Sequence, residues 1–289
     1  MDTPKKADRA TRRLAKVIAA SGLASRRAAE RMVEDGRVSV AGETVYHPGH
    51  SVADRNDVRV DGDPLPEPPE RAYYLLFKPR GVLTTLDDPE GRRTVEEFIA
   101  GLPVAVKPVG RLDMDTEGAL LFTNDGELAH QLTHPSRNVP KRYMVKVWKT
   151  PHPKQLARLK RGITLEDGRT KPALIRPVEA TDTGNTWYEV TVTEGRNRLV
   201  RRMFEAIGHP VSKLRRESFA TISLRKMDRG DIRPLTGQEI QRLREIADGR
   251  DPREAGHGSR YKKGFARPKP RGIKPGYKKR RQSPTRKKR

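Results

Sequence analysis

The chain contains no cysteine. Disulfides, thiolate nucleophiles and cysteine-bound zinc are therefore excluded, and a reducing compartment fits. No apolar run approaches the roughly 20 residues of a membrane-spanning helix. The opening stretch MDTPKKADRATRR has no apolar segment, so no secretory signal is read and the cytoplasm is the expected location. Aromatic residues make up only 5% of the chain, and its two tryptophans, Trp148 and Trp187, do not suggest a sugar-binding cleft. No Gly-x-x-x-x-Gly-Lys loop occurs, which leaves nucleotide hydrolysis unsupported, and the His-Glu-x-x-His order of a zinc protease is missing. Glu127, His130 and His134 share a short helical stretch closed by Pro135; no metal is expected there.

Acidic residues are also scarce. Lys and Arg number 61 against 37 Asp and Glu, a net charge of +24. Such a charge speaks about partners rather than fold, and RNA, DNA and anionic membranes are the candidates. A membrane is disfavoured because no amphipathic apolar face accompanies the charge. From Arg250 to Arg289 seventeen Lys and Arg stand against two acidic residues, with no apolar periodicity. Residues 1–9 and 249–289 are therefore expected to be disordered, the latter as a basic tail in which Tyr261, Phe265 and Tyr277 are placed to stack on unpaired bases.

Residues 10–63 read as a small module. Leu14, Val17 and Ile18 have helical spacing up to Gly22. Ser25 is a good N-cap for a second helix carrying Ala28, Ala29, Met32 and Val33, which stops at Gly36. Short strands are expected at Val38–Val40 and Val58–Val60. Residues 64–70 follow in a stretch holding four prolines in eight residues, which predicts an extended linker. Residues 71–248 mix strands and helices without βαβ alternation, which predicts an α+β domain on a largely antiparallel sheet. Ala72–Phe77, Ala119–Thr123, Tyr143–Val147 and Thr186–Glu194 are its expected strands. Val200, Met203, Phe204 and Ile207 mark a helix with one buried face, and Thr236 with Glu239 forms a capping box for another.

The most informative stretch runs Pro108-Val-Gly-Arg111-Leu-Asp113-Met-Asp-Thr-Glu-Gly118-Ala-Leu-Leu-Phe-Thr-Asn-Asp-Gly126. It resembles the central motif of the bacterial pseudouridine synthases that modify ribosomal RNA. Three more stretches match that family: Phe77-Lys-Pro-Arg-Gly-Val-Leu-Thr-Thr85 with Asp88-Pro-Glu-Gly-Arg-Arg-Thr-Val95, Lys141-Arg-Tyr143, and Glu194-Gly-Arg-Asn-Arg-Leu-Val-Arg201-Arg-Met-Phe204. The first module is similar to the S4 RNA-binding domain through Leu14, Ser25-Arg26-Arg27-Ala28, Met32-Val33 and Gly36-Arg37-Val38-Ser39-Val40-Ala41-Gly42.

The resemblance implies an S4-like module followed by a catalytic domain, and an isomerase needing neither cofactor nor metal. It implies that Asp113 is the catalytic carboxylate, that Tyr143 stacks on the target base, and that Arg201 pairs with Asp113. It further implies that Arg111 supports the gap left by an extruded nucleotide, and that Lys16, Arg26, Arg27 and Arg37 contact RNA phosphates. Leu199 departs from the family pattern, standing where a polar residue is frequent. The implied partner is ribosomal RNA met by a monomer, and the S4-like module, the Asp-Pro-Glu-Gly-Arg loop and the tail lean toward the 23S branch. A 16S enzyme and a non-catalytic ribosome assembly factor are the alternatives.

Overall fold

The computed structural model describes residues 11–180 and 184–250. Residues 1–10, 181–183 and 251–289 lie outside, and with them nearly all of the two segments expected to be disordered.

The first module has two helices, α1 (Leu14–Ala20) and α2 (Arg26–Glu34), and six short strands, of which β1 (Val38–Val40) and β2 (Val58–Val60) are the three-residue ones. Leu14, Val17 and Ile18 meet Ala29 and Val33 in one core, as the 3.6-residue period requires. Ser25 Oγ accepts from the Ala28 N–H at 3.2 Å and so caps α2. Strands β1 and β2 pair antiparallel with Val38 opposite Val60. The proline-rich stretch begins inside this module: Asp63–Pro64 pairs with β2, Leu65 is buried, and Arg55 donates to the carbonyls of Leu65 and Pro66. Proline is tolerated there because the strand lies at a sheet edge, where no ladder N–H is required of it.

The second domain is built on seven strands: β3 (Tyr73–Lys78), β4 (Glu117–Thr123), β5 (Lys141–Val147), β6 (Leu174–Ala180), β7 (Thr186–Val192), β8 (Val211–Phe219) and β9 (Ile232–Pro234). Their order across the sheet is β6-β7-β5-β8-β4-β3-β9. Every neighbouring pair is antiparallel except β8 with β4. Helices α3 (Gly126–Thr133), α4 (Pro153–Arg161), α5 (Leu199–Glu205) and α6 (Gly237–Ala247) complete an α+β fold.

Period-two alternation sorts the sheet into faces. Tyr73, Leu75, Phe77, Ala119 and Leu121 point to one side, where Leu128 and Leu132 of α3 and Leu243 and Ile246 of α6 cover them. Leu76, Leu120 and Phe122 point to the other, under Val82, Val95, Ile99, Val106 and Leu112. On that same side Val145, Val147, Val190 and Val192 are covered by Leu159 of α4 and by Val200, Met203 and Phe204 of α5. Leu199 is buried in this last cluster, so the departure noted in the sequence serves the core. Each fully buried side chain of this kind contributes about 1.5–3 kcal/mol.

The parallel β4–β8 contact joins the halves, with Gly118 opposite Arg216. A Cβ on Gly118 would lie 2.4 Å from the Arg216 carbonyl oxygen, and its φ is +132°. Only glycine fits this approach.

Candidate active site

Asp113 lies on the loop that feeds β4, on the face of the sheet between the two adjacent cores. The Thr116 N–H donates to the Asp113 carbonyl at 3.0 Å, folding Asp113–Thr116 into a turn. The turn is tethered from outside by the segment after β3. Lys78 Nζ donates to the carbonyls of Thr116 at 3.0 Å and Asp113 at 3.3 Å, and the Gly81 N–H donates to Met114 at 2.8 Å. Thr84 Oγ1 donates to the Leu112 carbonyl at 2.7 Å and accepts from the Leu112 N–H at 3.2 Å. Residues 112, 113, 114 and 116 are thus all fixed through the backbone, while the Asp113 carboxylate forms no hydrogen bond or ion pair among the described residues.

Lys78 is fully buried, with 0% exposure. Burial pushes its pKa down to about 8, against the pull of Asp113 and Asp115. Lys141, at the start of β5, is likewise buried and lowered to about 8 by burial and then by Arg216 and Lys171. Its ammonium donates to Val139 O at 3.1 Å and sits 5.5 Å from the Phe219 ring centre. Arg216, only 2% exposed, donates to Ala119 O at 2.7 Å.

Tyr143 stands on β5 directly across from Arg216 of β8, which itself faces Gly118 of β4. Strands lie about 4.8 Å apart, so roughly 10 Å of sheet separates the Tyr143 and Gly118 backbones. The Tyr143 ring packs against both cores of this face, including the one that holds Leu112. The tyrosine therefore lies on the same face of the sheet as Leu112, the residue before Asp113.

The expected ion pair between Arg201 and Asp113 is not formed. Arg201, buried on α5, places Nη2 2.9 Å from Asp115 Oδ2 and 3.2 Å from the Asp115 carbonyl, while Nη1 donates to Val211 O at 3.2 Å. The turn at Asp113–Thr116 presents Asp115, rather than Asp113, to the helix. Burial holds the Arg201 guanidinium below its usual range; Asp115 opposes that most strongly, and Asp113 adds a weaker pull from further away. Arg198 lies 3.6 Å from the other Asp115 oxygen.

The remaining expected contacts are on the surface. Arg111 is exposed beside the loop. Lys16, Arg26 and Arg27 are exposed and meet no carboxylate among the described residues. Arg37 differs: its guanidinium grips Asp61 with contacts of 2.6 and 2.9 Å, because the turn between β2 and Asp63 brings that carboxylate opposite it. Much of its charge is spent within the module. Next to it, Tyr46 covers Gly36 and is itself exposed, an aromatic that sequence reasoning passed over. Lys78, Thr84 and Asp115 were also missed as site residues; Lys78-Pro79 at the end of an apolar strand was the available signal. His130 and His134 have ring centres 5.5 Å apart, and no metal-holding group of carboxylates and imidazoles occurs among the described residues.

Comparison with known proteins places this geometry. Residues 72–206 match the RNA pseudouridylate synthase family and residues 12–62 match the S4 domain. The chain is 46% identical over 237 residues to ribosomal large subunit pseudouridine synthase B of Bacillus subtilis, covering 82% of this chain and 97% of that one. It is 44% identical over 233 residues to an uncharacterized RNA pseudouridine synthase of Aquifex aeolicus, covering 80% and 93%. A crystal structure of a pseudouridylate synthase superposes with a TM-score of 0.57 at 32% identity, over 80% of this chain and 99% of the other. The chain belongs to the RNA pseudouridine synthase family, whose members are isomerases, and carries an N-terminal S4 domain.

Proposed function

We propose that the protein converts a uridine of 23S ribosomal RNA to pseudouridine, as a monomer in the cytoplasm, with Asp113 as its catalytic carboxylate. The observation that carries the reading is the tethered loop: four backbone positions are held while the Asp113 carboxylate has no partner among the described residues, and Tyr143 packs against the core that holds the adjacent Leu112. A binding factor has no use for such an arrangement. The large-subunit assignment rests on the names of relatives from Bacillus subtilis, Yersinia pestis and Shigella flexneri, all ribosomal large subunit pseudouridine synthase B.

The reaction breaks the bond between uracil N1 and the ribose C1′, turns the base, and joins C5 to C1′; C5 gives up its proton and N1 takes one up, so the formula is unchanged. No electrons or phosphate are transferred, so the chemistry asks for no cofactor. An ionised aspartate serves either as nucleophile or as base. The target must leave its stack, which costs a few kcal/mol, and Tyr143 recovers part of that by stacking on it. Arg201 acts by holding the turn through Asp115. Arg111 supports the gap in the RNA, and Lys16, Arg26 and Arg27 meet phosphates; Arg37 does so less, since Asp61 occupies it.

The test is release of C5 tritium from uridine-labelled 23S and 16S RNA in separate reactions, with a chelator present and Asp113→Ala as control. Asp113-dependent release from 23S alone is expected. Release from 16S alone overturns the subunit, and release by the Asp113→Ala protein overturns the residue.

A further inference from the structure

Among the described residues, one stretch of the sheet has no helix packed against it in any core cluster. Helices α3 and α6 bury the outer face of β3 and β4, but their cluster stops at Phe219. Beyond it, on the side away from Asp113, β6, β7, β5 and β8 present Arg176, Trp187, Glu189, Arg142, Met144, Lys146, Lys213 and Arg215. The cross-strand register places these in rows: Arg176, Glu189, Met144 and Arg215 in one, Trp187, Lys146 and Lys213 in the next.

The two rows differ in charge. In the first, Arg142 lies 3.6 Å from Glu189 and Arg215 pairs with Glu217. In the second, Lys146 sits directly opposite Lys213, and neither meets a carboxylate among the described residues. Like charges in direct cross-strand register are destabilising. Glu189 is a diagonal neighbour of Lys146, but its ion pair is with Arg142, so both ammonium groups remain available to an anion.

Trp148, at the edge of this face, is 58% exposed. Its backbone is fixed on both sides: the N–H donates to Pro210 O at 3.0 Å, and the carbonyl is 2.9 Å from His209 Nδ1. The next residue, Lys149, holds a left-handed φ of +58° and donates its N–H to Asn185 Oδ1 at 3.0 Å. The backbone that carries this exposed ring is thus fixed at a corner, with Lys149 next in the chain. The chain has two tryptophans: Trp187 stands on this face opposite Lys146, and Trp148 lies one residue past the end of β5. An indole in a field of lysines is a stacking platform for unpaired bases, with the ammonium groups on the phosphates.

We propose that this open face, through Trp148, Trp187, Lys146, Lys149 and Lys213, binds an unpaired stretch of RNA on the side of the sheet opposite the catalytic cleft. The inference rests on RNA being the substrate, as proposed above. It adds a second contact surface that holds strand beyond the target nucleotide.

The tryptophan pair makes the test direct. In the full-length Trp187→Phe protein, emission comes from Trp148 alone. Titration with a short oligoadenylate, which contains no uridine to react at Asp113, is expected to quench it saturably, with a midpoint that rises steeply with salt. The double variant Lys146→Glu, Lys213→Glu should shift that midpoint by about tenfold or more, and Trp148→Ala should weaken binding of the labelled oligonucleotide about five- to tenfold. Oligoadenylate that binds, by anisotropy, without changing Trp148 emission overturns the proposal. So does emission that depends on protein concentration without RNA, which would mark a second copy on this face. So does a gain in acrylamide access on deleting residues 251–289, which would mark the chain's own tail. The same preparation is assayed for pseudouridine formation: isomerisation without quenching removes the surface and keeps the enzyme, while quenching without isomerisation does the reverse.

Discussion

Arg201 reaches Asp115, with 2.9 Å between Nη2 and Oδ2, and through Asp115 it grips the turn on which Asp113 stands. Asp115→Ala should therefore lower kcat while leaving RNA affinity within a few-fold. Because Asp115 is 40% exposed, the stability cost should be moderate, about 1–3 kcal/mol, arising mainly from the buried guanidinium left with one fewer acceptor. Single-turnover kinetics and urea denaturation measure the two effects. A variant with wild-type kcat would show that the clamp on the turn is dispensable.

Thr84→Val removes a hydroxyl that serves both the N–H and the carbonyl of Leu112. Volume is conserved, but two backbone groups lose a buried partner, at about 1–3 kcal/mol. Turnover should fall with KM little changed, since the hydroxyl positions the loop and does not meet the RNA. Thr84→Ser keeps the hydroxyl and should restore most of the rate. A KM effect instead would point to a role in substrate contact.

Two buried ammonium groups set an alkaline signature. Lys78 and Lys141 titrate at about 8 in the fold against 10.5 in the unfolded chain. Between those values the unfolded chain binds the extra proton, so raising the pH through this window adds to stability from these two groups. Turnover should move the other way, because a neutral Lys78 amine keeps two N–H donors for the three carbonyls of Pro79, Asp113 and Thr116. In Lys141→Met the alkaline gain in Tm should shrink, with Lys78 supplying what remains. An unchanged pH profile of Tm in that variant would contradict the assignment.

Gly118→Ala forces a Cβ to 2.5 Å from the Arg216 nitrogen in a backbone conformation unfavourable to alanine. Loss of more than about 3 kcal/mol is expected, at the upper end for single substitutions. Denaturant unfolding reads it directly, and a loss under about 1 kcal/mol would mean that β4 and β8 can separate without consequence.

Removing residues 251–289 takes away sixteen basic residues and both acidic ones of the tail. The slope of log affinity against log salt should flatten by about 0.7–0.9 for each phosphate that the tail neutralises. An unchanged slope would show that the tail does not touch RNA phosphates.

Most local structure was readable because it depends on near neighbours. Leu14, Val17 and Ile18 bury as their spacing requires; Ser25 and Thr236 cap as their chemistry allows. Val200, Met203, Phe204 and Ile207 all reach one core. The clamp on the Asp113 loop was not readable. Lys78 and Thr116 are 38 residues apart and Arg201 and Asp115 are 86, and no periodicity encodes which carbonyl a buried ammonium meets. The family motif brought Arg201 and the Asp113 loop together, but choosing Asp115 over Asp113 depends on how one turn is oriented, a difference of two residues. The burial of Leu65 with the first module's core was hidden for a similar reason, since the prolines on either side conceal it in the sequence.

The parallel join of β4 to β8 has a consequence for how the molecule comes into being. The Asp113 loop is made early, yet its sheet neighbour lies almost a hundred residues later, as the Arg216 bond to Ala119 records. Closing so long a loop is slow compared with forming local hairpins. During synthesis the N-terminal S4 domain can complete itself well before β4 has β8 beside it. A chain still attached to its ribosome thus carries a finished first module and an open sheet edge, with the Asp113 loop waiting for β8 to emerge.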